Sequence, residues 1–306
     1  MAEQEARLED FEVVQMLAER PGATVKLVQP KANKDMRRAL KSVPINAEGA
    51  DADELVREVN KQFGADSPSI VRFDGSFSEN NAIHIKMEYM DQGSLLDLYQ
   101  AAGPLPEKVL ATIAAGALRG LAYLHNERKI IHRNIKPSNI LLNHKGEVKL
   151  SDFGQSRKLD NAYSAARTYL GGITAHEKVQ SCYMSPERVL ATTYEYNTDI
   201  WSLGLSILEA AEGRFPYSEA KDEDDLLDMI SENDPPTAPK GASNEFAEFI
   251  NQCLKRHPKK RVQANDLIDE DSFVRRGMEN PVDLAAFLAG VRERNPDYNK
   301  KFPLFN

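Results

Sequence analysis

Apolar side chains recur at strand-like intervals up to Tyr89 and at helical intervals beyond it. Phe11 to Leu17 and Thr24 to Gln29 predict two strands, with Arg20-Pro21-Gly22 as the turn between them. Arg37 to Val43 predicts a third strand. Asp51 to Phe63 then carries Leu55, Val56, Val59 and Phe63 on one face of a helix. Ile70 to Phe77 and Ala82 to Tyr89 complete the sheet, and Asp91-Gln92-Gly93-Ser94 has the chemistry of a connector. Val109 to Asn126, Ile200 to Glu212 and Asn244 to Lys255 are predicted helices. Between the first two of these, residues 130–190 form strands and loops dense in polar groups. The pattern predicts an α+β chain: an extension at 1–10, a sheet-rich lobe at 11–90, a helical lobe at 91–275 and a tail at 276–306, with the lobes joined at 90–93.

Composition narrows the class. A chain of 306 residues with 41% apolar content can build two lobes with a real core. Its net charge of -8 argues against nucleic acid or an anionic membrane as partner. Two cysteines, Cys182 and Cys253, are too few for a disulfide framework or a zinc site. The acidic segment Met1 to Asp10 lacks the apolar core of a signal peptide, and Val109 to Leu118 is cut short of a membrane span by Arg119. The expected location is the cytoplasm, without membrane insertion.

The densest polar segment is His132-Arg133-Asn134-Ile135-Lys136-Pro137-Ser138-Asn139, followed thirteen residues after Asn139 by Asp152-Phe153-Gly154. This resembles the catalytic loop and metal-binding motif of protein kinases at the family's spacing. The resemblance implies a two-lobed kinase fold and phosphoryl transfer from Mg²⁺-bound ATP, a reaction governed by positioning and charge. Asn139 and Asp152 take the metal-ligand positions, and Lys136 the cation beside the γ-phosphate. Lys41, in Ala39-Leu40-Lys41, stands where the family holds the α- and β-phosphates, with Glu58 as its helix partner. Ala18, Arg20, Gly22, Val25, Ala39, Met87, Glu88, Met90, Ser138 and Leu141 take nucleotide-contacting positions; Met87 is the gatekeeper.

Downstream, Tyr183-Met184-Ser185-Pro186-Glu187-Arg188 resembles the end of a kinase activation segment, here 152–187. Asp199-Ile200-Trp201-Ser202-Leu203-Gly204 resembles the helix that anchors the catalytic loop. The resemblance pairs Glu187 with Arg261, in a structural role. Pro137-Ser138-Asn139, Phe215-Pro216-Tyr217, Met90 to Leu95 and Ser67 to Val71 are similar to the MAP kinase kinase family, over roughly residues 10 to 290. That family implies a MAP kinase as substrate or partner and an upstream MAP kinase kinase kinase. Ser164 and Thr168 are similar to its paired phosphoacceptors, with Arg133 as a basic neighbour able to order the phosphorylated segment.

Three positions depart from the family. Asn134 stands where the family has aspartate, and an amide cannot accept the substrate hydroxyl's proton. Ala18, Arg20 and Ala23 occupy the three glycine positions of the phosphate-covering loop, leaving Gly22 beside Pro21. Residues 172–180 lengthen the activation segment, and the threonine expected before Tyr183 is replaced by Gln180 or displaced to Thr174. Two readings follow: a pseudokinase that scaffolds or modulates a MAP kinase pathway, and a competent dual-specificity kinase retaining Lys41, Glu58, Lys136, Asn139 and Asp152. Lys300-Lys301-Phe302-Pro303-Leu304-Phe305 resembles a MAP kinase docking peptide; the plainer expectation is a tail packed on the larger lobe.

Overall fold

The computed structural model describes residues 6–20, 22–45, 51–63, 66–152, 157–158 and 182–304. Contacts divide the chain into two compact units, Met1–Asp91 with Pro296–Asn306, and Gln92–Asn295.

The first unit is built on a five-stranded antiparallel sheet in the order β1-β2-β3-β5-β4. Its strands are β1 (Phe11–Arg20), β2 (Ala23–Pro30), β3 (Arg38–Pro44), β4 (Phe73–Glu79) and β5 (Ala82–Glu88). In register, Lys41 lies opposite Val25 and Ile85, while Ala39 lies opposite Leu27 and Met87. Side chains alternate along a strand, so Ala39 and Lys41 share the face opposite Leu40. Leu40 is buried with Val28 and Phe77, and Leu8 and Phe11 pack against that cluster. Helix α1 (Ala52–Phe63) packs on β4, where Ser76 Oγ donates to Asn60 Oδ1 at 2.9 Å.

The strand predicted from Ile70 begins instead at Phe73. Ile70 closes a turn, its N–H donating to Ser67 O at 3.1 Å, and the ladder shifts register between Phe73 and Ser76.

The second unit is mainly helical. Its helices are α2 (Leu95–Ala102), α3 (Glu107–Tyr123), α4 (Thr198–Glu212), α5 (Glu223–Glu232), α6 (Asn244–Cys253), α7 (Ala264–Glu270), α8 (Ser272–Glu279) and α9 (Leu284–Arg294). α3 is buried along Val109, Leu110, Ile113, Leu118 and Leu121. It stops short of the predicted Asn126: a π-turn, Leu124–Arg128, follows Tyr123 and ends at Lys129 with φ +55. Two glycines set how closely helices approach. A Cβ at Gly277 of α8 would lie 2.1 Å from Ala111 O of α3, and one at Gly204 of α4 would lie 2.5 Å from Cys253 Cβ of α6. Short ladders join β6 (Ile130–Ile131) to β9 (Arg157–Lys158), and β7 (Ile140–Leu142) to β8 (Val148–Leu150).

The chain re-enters the first unit at α10 (Pro296–Lys301). Gln15 Nε2 donates to Lys301 O at 2.8 Å, and the Tyr89 hydroxyl donates to Pro303 O at 3.4 Å. The expectation of a tail packed on the larger lobe is therefore corrected. The last carbonyls find donors in β1 and just beyond β5, and Phe302 is buried with its ring 5.4 Å from that of Tyr298. Among the described residues no helix is long and apolar enough to cross a membrane.

Candidate functional site

The segment His132–Asn139 joins β6 to β7, and its backbone has few partners of its own in either ladder. Asp199, in the first turn of α4, supplies them. Its Oδ1 accepts the Arg133 N–H at 2.8 Å; its Oδ2 accepts the His132 N–H at 2.8 Å and His125 Nε2–H at 2.9 Å. The carboxylate is wholly buried, so these donors stand in for water. Burial pushes the Asp199 carboxyl up, but the hydrogen bond and charge of His125, with the other donors, hold it below its ordinary value. The same grip keeps Arg133 at φ +69, a conformation rare outside glycine.

His132 organises the next turn. Its Nδ1 accepts the Asn134 N–H at 3.2 Å and its Nε2–H donates to Ser151 O at 3.0 Å, an arrangement that needs the neutral ring. Burial lowers its pKa in agreement.

Three polar side chains then converge. Asn139 Nδ2 donates to Asn134 O at 2.8 Å, and Asn134 Nδ2 makes a long contact with Asp152 Oδ2 at 3.4 Å. Ser151 N–H donates to Asn139 O at 3.0 Å, tying the start of the next segment to the loop. Asp152 is half-buried and held at φ +66. Its carboxylate and the Asn139 amide oxygen are the hard oxygen donors that Mg²⁺ prefers, so these residues fit that ion. Water and phosphate are the usual further partners of Mg²⁺. Lys136 is buried, and Ser138 and Leu141 are half-buried in the same stretch.

The other predicted residues belong to the first unit. Lys41 and Val25 are half-buried partners across β2 and β3, and Ala39 is buried. Met87 and Glu88 end β5, where Glu88 Oε1 accepts the Arg72 N–H at 2.6 Å, and Met90 is buried just beyond. Glu58 lies on α1, with its side chain outside the described set. Ala18 pairs with Val25, and Arg20 with Ala23, at the turn closed by Gly22. Gly22 has φ +82, and a Cβ there would meet nothing within 4 Å. This glycine serves the turn's backbone, with no neighbour crowding it. Pro21, the Arg20 side chain, Phe153, Gly154, Ser164, Thr168, Thr174, residues 172–180 and Phe305 lie outside the described residues.

The expected structural pair is formed. Arg261 Nη1 and Nη2 donate to Glu187 Oε1 and Oε2 at 2.6 and 3.0 Å, both side chains being buried. The Arg261 guanidinium also lies 5.2 Å from the Trp201 ring centroid.

Two features escaped sequence reasoning. Glu209 accepts the Tyr99 and Tyr183 hydroxyls at 2.5 and 2.6 Å, and burial pushes its carboxyl up although both hydrogen bonds oppose that shift. A charged residue inside the apolar stripe of α4 was the available signal. Arg188 donates through Nη1 to Arg133 O at 2.9 Å, beside Tyr194. Its place directly after Glu187 gave no hint of that contact.

The Protein kinase domain family matches residues 15–273. Mitogen-activated protein kinase kinase 1 of Arabidopsis thaliana is 38% identical over 288 residues, 92% of this chain and 78% of that protein. Mitogen-activated protein kinase kinase 1c of Physcomitrium patens is 40% identical over 289 residues, 91% of this chain and 80% of that protein. Mitogen-activated protein kinase kinase SIPKK of Nicotiana tabacum is 38% identical over 291 residues, 93% of this chain and 79% of that protein. With the anchored loop and the sheet already described, these matches identify the chain as a protein kinase and, within that family, as a member of the mitogen-activated protein kinase kinases.

Proposed function

We propose that this protein binds ATP with Mg²⁺ in the cytoplasm and works on or with a MAP kinase, below a MAP kinase kinase kinase, with phosphotransfer severely impaired. The observation that carries the reading is Asn134 at the base position, buried and turned through Nδ2 toward Asp152. An amide donates where a carboxylate would accept, and it has no affinity for the proton leaving a substrate hydroxyl. Residual transfer survives this loss because the phosphoryl transition state depends chiefly on positioning and charge.

Each residue has a proposed part. Lys41 orients the α- and β-phosphates, with Glu58 as its partner, and Lys136 neutralises the transferring group. Asn139 and Asp152 hold Mg²⁺, which supplies charge neutralisation at the phosphates. Ala39, Val25, Met87, Glu88, Met90, Ser138 and Leu141 line the nucleotide, while Ala18, Arg20 and Gly22 cover it less closely than a glycine loop. Ser164 and Thr168 accept phosphate from the upstream kinase, which mass spectrometry after treatment with that kinase will detect.

The test is nucleotide titration with and without Mg²⁺, followed by transfer to a MAP kinase by the natural chain and by Asn134→Asp. The expected gain on restoring the carboxylate is ~10²- to 10⁴-fold. Equal and substantial rates from the two chains would instead support the second reading, a competent dual-specificity kinase, which is favoured by retention of Lys41, Glu58, Lys136, Asn139 and Asp152.

A further inference from the structure

We propose that residues 296–304 are a strap that orders two stretches of the first unit at once, β1 and residues 88–90, and thereby raises nucleotide affinity. The nucleotide belongs to the proposed function, on which this inference rests; the strap is read from the contacts of the tail. α10 (Pro296–Lys301) is six residues long, too short to hold a helix by itself in water. Burial orders it instead: Tyr298 is 4% exposed and Phe302 5%, with their rings edge to face at 5.4 Å. Asp297 and Lys300, on the same turn, form a solvent-exposed pair at 3.3 Å.

Two carbonyls near the end of the strap reach different elements. Lys301 O accepts the Gln15 Nε2–H at 2.8 Å, and Pro303 O accepts the Tyr89 hydroxyl at 3.4 Å. Gln15 sits between the two register shifts of β1, at Val13/Gln15 and Met16/Ala18. Bulges re-aim side chains along a strand, and here the residue between them is the one that meets the tail. β1 is an edge strand, paired with β2 and with no other strand among the described residues. An edge opens more readily than a central strand, so a tie from outside the sheet changes its order most. Beyond Gln15 the same strand runs to Ala18 and Arg20, which cover the nucleotide in the proposed function. Tyr89 stands between Glu88 and Met90, which line it.

A ligand that meets stretches already in order loses less conformational entropy than one that must order them. Because the tail is part of the same chain, weak contacts suffice to keep it in place. The gain falls where Ala18, Arg20 and Ala23 stand in place of glycines and offer the phosphates less. The coupling is reciprocal: whatever factor the strap adds to nucleotide affinity, bound nucleotide must add to the stability of the strap. A tail that only packed against the sheet would show no such return effect.

The experiment is hydrogen exchange read by mass spectrometry on the full chain without nucleotide, followed by calorimetric titration with a non-hydrolysable ATP analogue and Mg²⁺. Gln15→Met, of similar length, removes the donor to Lys301 O, and Tyr89→Phe removes the hydroxyl. The first is expected to speed exchange in β1 and the second at 88–90, each about two- to tenfold, the scale of one neutral hydrogen bond. Each should weaken the analogue by a similar factor. Truncation after Asn295 removes both ties and the buried Phe302, so its effect should exceed either single change. Glu12→Gln, at an exposed position of the same strand, should leave both readings unchanged. In the natural chain, saturating analogue should slow exchange of the Tyr298–Phe302 amides. If the truncated chain fails to fold, the two single substitutions carry the test.

Unchanged exchange in β1 and at 88–90 in both single variants overturns the strap. So does a uniform acceleration that includes Leu40 and Ile85, buried in the centre of the sheet, since that is a loss of global stability. Exchange that moves while analogue affinity stays within about twofold overturns the coupling to nucleotide, as does a tail left unprotected by saturating analogue. A natural chain that binds no analogue overturns the proposed function, and the exchange measured without nucleotide keeps that failure separate from the strap.

Discussion

The loop held by Asp199 and the turn at Gly22 both belong to the machinery expected of a kinase, yet they have fared differently in this chain. Around Asp199 every supporting group is in place: His125, the His132 and Arg133 amides, and the buried Glu187–Arg261 pair. At the other turn, Ala18, Arg20 and Ala23 stand in the glycine positions, and the remaining Gly22 meets no crowding atoms. The first set is buried and carries the fold's own hydrogen bonds, so losing any member exposes unsatisfied donors or charge. The second set lies at a strand turn, where its alanines suit the strand better than glycine does. The buried, hydrogen-bonded set is kept here, while the glycine positions of the turn are not. Asn134 is the boundary case, since its backbone is held by His132 while its side chain is an amide where the family has aspartate.

This contrast can be broken experimentally. The largest effect is expected at Arg261. Arg261→Ala should cost about 3–5 kcal/mol in urea denaturation, because Glu187 is left buried and unpaired. A companion chain with Arg261→Met and Glu187→Leu should recover much of that loss; if the single variant is near neutral, the pair is no strut. Asp199→Ala comes next, at about 1.5–3 kcal/mol, with release of the His132 and Arg133 amides visible as faster hydrogen exchange.

His132 gives a pH signature. Its folded pKa lies below the ordinary 6.5, so the unfolded chain takes up the proton first as pH falls. Stability should be fully present above pH 6.5 and decline below it by about 1.4 kcal/mol per pH unit until the folded pKa is reached. His132→Gln removes that contribution, so denaturation curves between pH 7.5 and 5.5 should show a shallower decline than the natural chain. A parallel decline would mean that the ring is protonated in the fold.

The smallest stability effect, about 0.5–1 kcal/mol per site, is expected for Ala18→Gly and Ala23→Gly. Combined with Arg20→Gly they should tighten nucleotide binding measurably. If affinity stays flat while stability falls, the turn has no part in holding nucleotide.

Much of this was legible beforehand. The sheet, α1 and α4 follow from period and turn residues, and the Glu187–Arg261 pairing is what the kinase resemblance implied. The boundaries that shifted did so for local reasons outside any periodicity: the Ser67–Ile70 turn delays β4, and the π-turn after Tyr123 ends α3 early. Glu209 with its two tyrosines was hidden because Tyr99, Tyr183 and Glu209 lie on separate elements, although a carboxylate in an apolar stripe was a visible clue. Arg188 beside Tyr194 carried no local signal at all.

By itself the sequence determined the kinase family, the strand that carries Lys41, the loop at 132–139 and the presence of an amide, Asn134, where the family has aspartate, because each is a matter of residue identity and order. Only the tertiary structure decided that Asp199 satisfies two loop amides, that the tail joins the first unit through Gln15 and Tyr89, and that Arg188 donates to the Arg133 carbonyl. Those outcomes depend on hydrogen bonds and burial between residues distant in the chain. Spacing along a sequence does not encode where such partners meet.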